Sequence, residues 1–219
     1  LTSSKGDANG DAKVTVADIV SEIDYLTNQD PKPFIFEAAD INSDETVNIL
    51  DVVGTINIVL GVSSTAMMSQ SLATAELSIE DGILYIDSPV ELGGVQFGLT
   101  VPEDARLTPL KALEGLEYVN YTEDEGQTFK VMAFSMIGLT IPSGRQAVMY
   151  VGDATLDDIV LSDKWGNDIK VSYNMPTGID TVTPAKQFVE KEGIFDMMGR
   201  RVIKPSKGVY IINGKKVCY

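Results

Sequence analysis

The chain has no histidine, one cysteine and one tryptophan, and its 17 lysines and arginines face 32 aspartates and glutamates. Without histidine there is no Ser-His-Asp triad, no Cys-His dyad and no histidine-bearing zinc, copper or non-haem iron site. Cys218, next to the last residue, can form neither an internal disulfide nor a cysteine-rich metal cage. A net charge of −15 argues against nucleic acid as a partner, because two polyanions release no counterions on meeting. No run approaches the ~18 apolar residues that cross a bilayer. The start, Leu1-Thr2-Ser3-Ser4, lacks a charged, apolar and cleavable signal, which leaves a cytoplasmic chain or one whose signal has been removed. What is present is a hydrophobic share of 44% in 219 residues, enough for one large or two small globular cores.

The first positive feature is a repeat. Asp7-Ala8-Asn9-Gly10-Asp11-Ala12-Lys13-Val14-Thr15-Val16-Ala17-Asp18 recurs 33 residues on as Asp40-Ile41-Asn42-Ser43-Asp44-Glu45-Thr46-Val47-Asn48-Ile49-Leu50-Asp51. Both read D-x-N-x-D-x-x-V-x-x-x-D. An oxygen-ligated calcium loop needs side-chain oxygens at positions 1, 3 and 5, a carbonyl at 7, a group acting through water at 9 and a carboxylate at 12. The first loop fills that pattern with Asp7, Asn9, Asp11, the Lys13 carbonyl, Thr15 and Asp18. The second fills it with Asp40, Asn42, Asp44, the Thr46 carbonyl, Asn48 and Asp51, so two calcium ions are expected. Position 6 of such a loop adopts a left-handed backbone that suits glycine, yet here it carries Ala12 and Glu45, at about 1 kcal/mol each. Apolar residues after each loop, Ile19, Val20, Ile23 and Leu26, then Val52, Val53, Ile56 and Val59, have the spacing of one helix face.

These residues resemble the type I dockerins, which carry two such loop-helix repeats; the likeness covers 5–61. The resemblance implies a non-catalytic plug for cohesin modules, with contacts at loop positions 10 and 11 and along the helices. Here those positions are Val16-Ala17 and Ile49-Leu50, apolar where cellulosomal members carry Ser-Thr-like pairs.

Beyond Gly61 the periodicity turns strand-like. Segments 75–79, 82–86, 94–101, 128–134, 145–151, 159–162 and 169–173 are short, rich in Val, Ile, Leu, Tyr and Phe, and separated by turn residues, which predicts a β-sandwich. Val95, Phe97, Leu99 and Val101 alternate as one inward face, and a brief helical turn is expected within 107–116. The strings Gly94-Val95-Gln96-Phe97-Gly98-Leu99-Thr100-Val101, Phe129–Ser135 and Ile141–Gly144 are similar to cohesins and related carbohydrate-binding sandwiches, which implies binding through a sheet face. For catalysis only carboxylates such as Asp157-Asp158, Glu123-Asp124-Glu125 and Asp163 remain, and neighbours on a strand point to opposite faces. The chain therefore reads as no enzyme. Trp165, in a loop or hairpin turn, is either the lid of a core edge or a sugar contact, and Asn120-Tyr121-Thr122 matches a glycosylation sequon.

The last segment reverses the charge, with eight Lys or Arg against three acids in 186–219. Strands are expected at 193–197, 201–203, 209–212 and 215–219, with a two-residue hairpin turn at Asn213-Gly214. The string Phe195–Val202 followed by Lys207–Val217 is similar to the C-terminal sorting domains of the type IX (Por) secretion pathway in Bacteroidetes, which implies export or surface display.

The expected architecture is multidomain α + β: an all-α paired calcium loop-helix module at 1–61, a linker at 62–74, an all-β cohesin-like sandwich at 75–174, a linker at 175–187 and a small all-β hairpin appendage at 188–219. The expected function is calcium-dependent protein–protein assembly outside the cell. Pairing with a cohesin-like module is open within the chain, head-to-tail in a homo-oligomer, or with another protein. The rival reading is a glycan-binding or adhesin sandwich braced by a structural calcium module.

Overall fold

The computed structural model describes residues 4–62, 73–102, 106–124 and 127–173, together with four strands of the C-terminal tail. Segments 63–72 and 174–187, which contain most of both expected linkers, lie outside the described residues. The chain divides into two compact units, Leu1–Met175 and Pro176–Tyr219.

Three helices open the first unit: α1 (Val16–Leu26), the single-turn α2 (Phe36–Ala39) and α3 (Ile49–Val59). Thr15 and Asn48 cap α1 and α3. Each side chain accepts a backbone N–H of the first turn, and Asp18 or Asp51 answers the cap residue's own N–H. These capping boxes fix where the helices begin and put an acid in the first turn, where the helix dipole favours it. In α3 every residue from Ile49 to Asn57 is buried. A helix buried all round must have a second neighbour besides α1.

That neighbour is the sandwich. One sheet has the order β4 (Thr108–Pro109), β7 (Gly144–Tyr150), β2 (Ile83–Ser88), β1 (Thr74–Glu80), β9 (Lys170–Tyr173), and the other the order β5 (Glu117–Asp124), β6 (Thr128–Phe134), β3 (Leu92–Thr100), β8 (Thr155–Asp163). All pairs are antiparallel except β1 with β9. Val95, Phe97, Leu99 and Val101 point into the core between the sheets, with Leu77, Leu84, Ile86, Val131, Val148 and Leu161, as their alternation predicts. The expected helical turn is a 3-10 turn at Lys111–Leu113.

Strand β6 has both faces buried from Val131 to Phe134. Val131 and Ala133 face the sandwich core, whereas Met132 and Phe134 belong to the core of the helical module, with Ile19, Ile49, Val52 and Ile56. Each such fully buried side chain contributes about 1.5–3 kcal/mol.

In the second unit β10 (Ile194–Asp196), β11 (Arg201–Val202), β12 (Val209–Ile212) and β13 (Lys215–Cys218) form an antiparallel sheet of order β11-β10-β12-β13. The expected Asn213-Gly214 turn lies outside the described residues. Among the described residues no helix is long and apolar enough to cross a membrane.

Candidate metal centre and docking face

Both loops are wound around their own side-chain oxygens. In the first, Asp7 Oδ2 accepts from the Ala12 N–H (3.2 Å), Asn9 Oδ1 from Asp11 (2.9 Å) and Asp11 Oδ1 from Lys13 (2.9 Å). The buried Asp18 carboxylate accepts from Asn9 and Thr15. The second loop repeats this: Asp40 accepts from Asp44 and Glu45 (both 3.2 Å), Asn42 from Asp44 (3.0 Å), Asp44 from Thr46 (2.9 Å), and Asp51 from Ile41, Asn42 and Asn48. Thr15 and Asn48, position 9 of each loop, commit their side chains to the helix caps.

Each loop offers three carboxylates and an amide oxygen within twelve residues, the hard-oxygen donor types that calcium takes, although among the described residues no three carboxylates are gathered as a ready-made metal cluster. Asp7 adds a direct sign: its Oδ1 is buried and meets no hydrogen-bond donor. A buried carboxylate oxygen without a donor is costly unless a cation faces it. Burial, opposed by the three N–H donors and reinforced by Asp44, lifts Asp51 to about 6. The residues present therefore fit calcium.

Ala12 and Glu45 have φ of 69° and 68°, the left-handed backbone expected at position 6. Ala12→Gly and Glu45→Gly are each expected to raise the module's unfolding free energy by about 1 kcal/mol, read by urea denaturation in calcium.

Between the loops lies Glu22, fully buried on α1, whose Oε1 meets the Thr55 hydroxyl of α3 at 2.6 Å while Oε2 meets no donor. Burial pushes its carboxyl well above the usual range; Thr55 opposes this, and Asp51 and Asp18 add to it. A raised carboxyl stabilises the fold below the unfolded value near 4.5, and that stability is lost as the pH climbs through the folded value. Glu22→Gln, which needs no proton, is thus expected to match the parent at pH 4.5 and to be the more stable of the two at pH 8. Parallel urea unfolding curves at the two pH values check this.

The docking face is the outer side of the β5-β6-β3-β8 sheet. A Cβ on Gly94 would stand 2.8 Å from both Ile49 Cγ1 and Val53 Cγ2, so α3 rests directly on the β3 backbone. Val119, Met136 and Val160 pack against the same cluster. Asn57 Nδ2 donates to the Lys164 carbonyl at 3.1 Å, tying α3 to the turn after β8. Sequence reasoning overlooked this face, although the unbroken apolar run Val131-Met132-Ala133-Phe134 is the signature of a strand covered on both sides.

Of the four residues expected to meet a partner, Ile49 and Leu50 are buried within the chain, whereas Val16 and Ala17 are exposed. The structure thus separates two positions that the repeat makes equivalent. Trp165 is half-buried in the turn after β8, with the Lys164 ammonium 5.1 Å from its ring centre. Lys164 also pairs with Glu91 at 2.9 Å. Asp163 holds the turn by accepting from Trp165, Asn167 and the Asn167 side chain, and Asp158 accepts from Gln96. These carboxylates are engaged in structure. Asn120 of the sequon is exposed on β5.

A search of curated proteins finds no match. Among solved structures, the chain is similar to a non-cellulosomal cohesin from the hyperthermophilic archaeon Archaeoglobus fulgidus, at 16% identity over 47% of this chain and 86% of that one, with a TM-score of 0.36. At the N-terminus, the segment that carries both loops and α1 to α3, residues 5–60, matches the family model of the dockerin type I domain.

Proposed function

We propose that the chain is a non-catalytic, exported assembly protein whose loop-helix module plugs its own sandwich. Asp7, Asn9, Asp11, the Lys13 carbonyl and Asp18, with Thr15 through water, would hold one calcium ion, and Asp40, Asn42, Asp44, the Thr46 carbonyl and Asp51, with Asn48 through water, the other; the ions would supply the charge that neutralises the two loops. The loops then hold α1 and α3 in the register that presents α3 to the sheet. The observation that carries this reading is the seating of Ile49 and Val53 on Gly94, which makes the contact one within the chain. Val16 and Ala17 on α1 remain available to a second protein. The sorting-type tail supports export, and calcium modules of modest affinity suit the millimolar ion outside cells.

Light scattering on a sizing column, under reductant to silence Cys218, tests the pairing. A monomer of 23.7 kDa in calcium that elutes earlier in EDTA at unchanged mass is the expected result. A calcium-dependent rise to multiples of that mass would replace this reading with pairing between chains.

A further inference from the structure

Trp165, the single tryptophan of the chain, is half-buried yet packs with neither of the two hydrophobic cores. It lines instead a pocket of about 290 Å³ where three segments meet: 89–91 ahead of β3, Ser143 ahead of β7, and 163–165 after β8. Pro89, Val90 and the indole give this pocket apolar surface, and Glu91, Ser143 and Lys164 give it exposed polar groups. The Lys164 ammonium stands 5.1 Å from the indole centre and 2.9 Å from Glu91 Oε2, while Glu91 Oε1 accepts from the Thr140 hydroxyl. The turn that carries Trp165 is held from behind. Asp163 fixes it with three accepted hydrogen bonds, Asn57 of α3 donates to the Lys164 carbonyl, and a Cβ on Gly166 would lie 3.2 Å from the Leu50 carbonyl oxygen. A site braced in this way loses little freedom when a ligand enters.

We propose that this pocket binds one residue of a neutral saccharide, with a C–H face of the sugar ring against Trp165 and its hydroxyl groups bonded to Glu91, Lys164 and Ser143. Charge selects the ligand. The lining sets two carboxylates, Glu91 and Asp163, against one ammonium in a chain of net charge −15, so an anion is repelled. A cation finds the place beside Glu91 and the indole already taken by Lys164. Asp163 is committed to the turn, which leaves Glu91 alone and short of the donor set a metal ion needs. The ligand that fits is neutral, apolar on one face and ringed by groups that both donate and accept: a sugar hydroxyl accepts from the Lys164 ammonium and donates to the Glu91 carboxylate. A volume at the lower end of ligand pockets suits one ring. Every lining residue belongs to the sandwich, so the inference goes beyond the assembly reading and does not require the loops to bind calcium.

The test uses the full chain and four probes, the methyl glycosides of glucose, galactose, mannose and N-acetylglucosamine, with glucuronate and tetramethylammonium as charged comparators. Saturation-transfer NMR reads binding, and the emission of the lone tryptophan reports whether it occurs at this pocket. At least one neutral glycoside is expected to shift that emission with a midpoint on the order of 1 mM, as suits a dozen non-hydrogen atoms in an open site. Trp165→Ala should abolish the transfer signal, and Trp165→Phe, which keeps a ring, should restore part of it. Glu91→Ala should raise the midpoint about three- to tenfold, the effect of one charge-assisted hydrogen bond at a partly exposed position. Because Glu91 is exposed, that variant decides the matter even if Trp165→Ala fails to fold by circular dichroism. Silence from all four glycosides would overturn the proposal, as would binding that survives both Trp165→Ala and Glu91→Ala, or either charged comparator binding more tightly than every neutral sugar.

Discussion

Chelating calcium is expected to melt α1 and α3 and to lift them off the sandwich. Each loop packs three carboxylates into twelve residues, Asp7, Asp11 and Asp18 in one and Asp40, Asp44 and Asp51 in the other, and residues 1–61 hold eleven acids against three bases. Two of those carboxylates, Asp18 and Asp51, are fully buried. At calcium a hundredfold above the dissociation constant each site contributes about 2.7 kcal/mol, so emptying both removes roughly 5 kcal/mol, comparable to the whole stability of a small domain. The module has a core too small to absorb that loss, whereas the sandwich has its own between the two sheets. In EDTA the helical far-UV circular dichroism should fall, proteases should cut within 4–62, and the β-signal of 73–173 should persist. Identical spectra and cleavage patterns with and without calcium would refute this account.

The second large effect is expected from Gly94→Glu. Any side chain there enters the space of Ile49 and Val53, which approach the missing Cβ to 2.8 Å. Overpacking costs about 1–3 kcal/mol, and an acid pressed between Ile49, Val53 and the sheet adds the penalty of a buried unpaired charge. Position 94 points away from the core shared by the sheets, since its neighbour Val95 is the residue that faces inward. The sandwich should therefore fold while α3 loses its seat. In calcium the variant is predicted to keep its helical dichroism but to elute earlier than the parent and to release the module on brief proteolysis. Gly94→Ala, with only one methyl to accommodate, should fall between the two. A Gly94→Glu chain as compact and protease-resistant as the parent would mean that α3 does not depend on this seat.

Much of the fold was legible in local pattern. Seven of the nine strands of the sandwich follow from period-two stretches, and the two loop-helix units from a repeat and its capping residues. Strand β5 escaped because Glu117, Asn120, Glu123 and Asp124 break its apolar alternation, although Tyr118, Val119, Tyr121 and Thr122 suit a strand. Strand β4 is only Thr108-Pro109, too short for any periodicity to register. In the candidate site the ligand positions were legible because a calcium loop is local, with all its donors inside twelve residues. The cap duty of Thr15 and Asn48 was not, since position 9 and the helix N-cap are the same residue and the ligand spacing says nothing of the second role.

What the sequence determined by itself is the chemistry: the exclusion of histidine-based catalysis, two oxygen-rich loops with left-handed turns at Ala12 and Glu45, two helices of equivalent pattern and a sandwich that follows them. What only the tertiary structure decided is how the two halves of the repeat differ in use. Ile49 and Leu50 are buried while Val16 and Ala17 face solvent. The reason is physical. A repeat dictates equivalent local structure, but one sheet face has room for one helix. Which helix takes it depends on contacts such as Ile49 on Gly94 and Asn57 on Lys164, whose partners lie far apart in the chain and leave no mark in local periodicity.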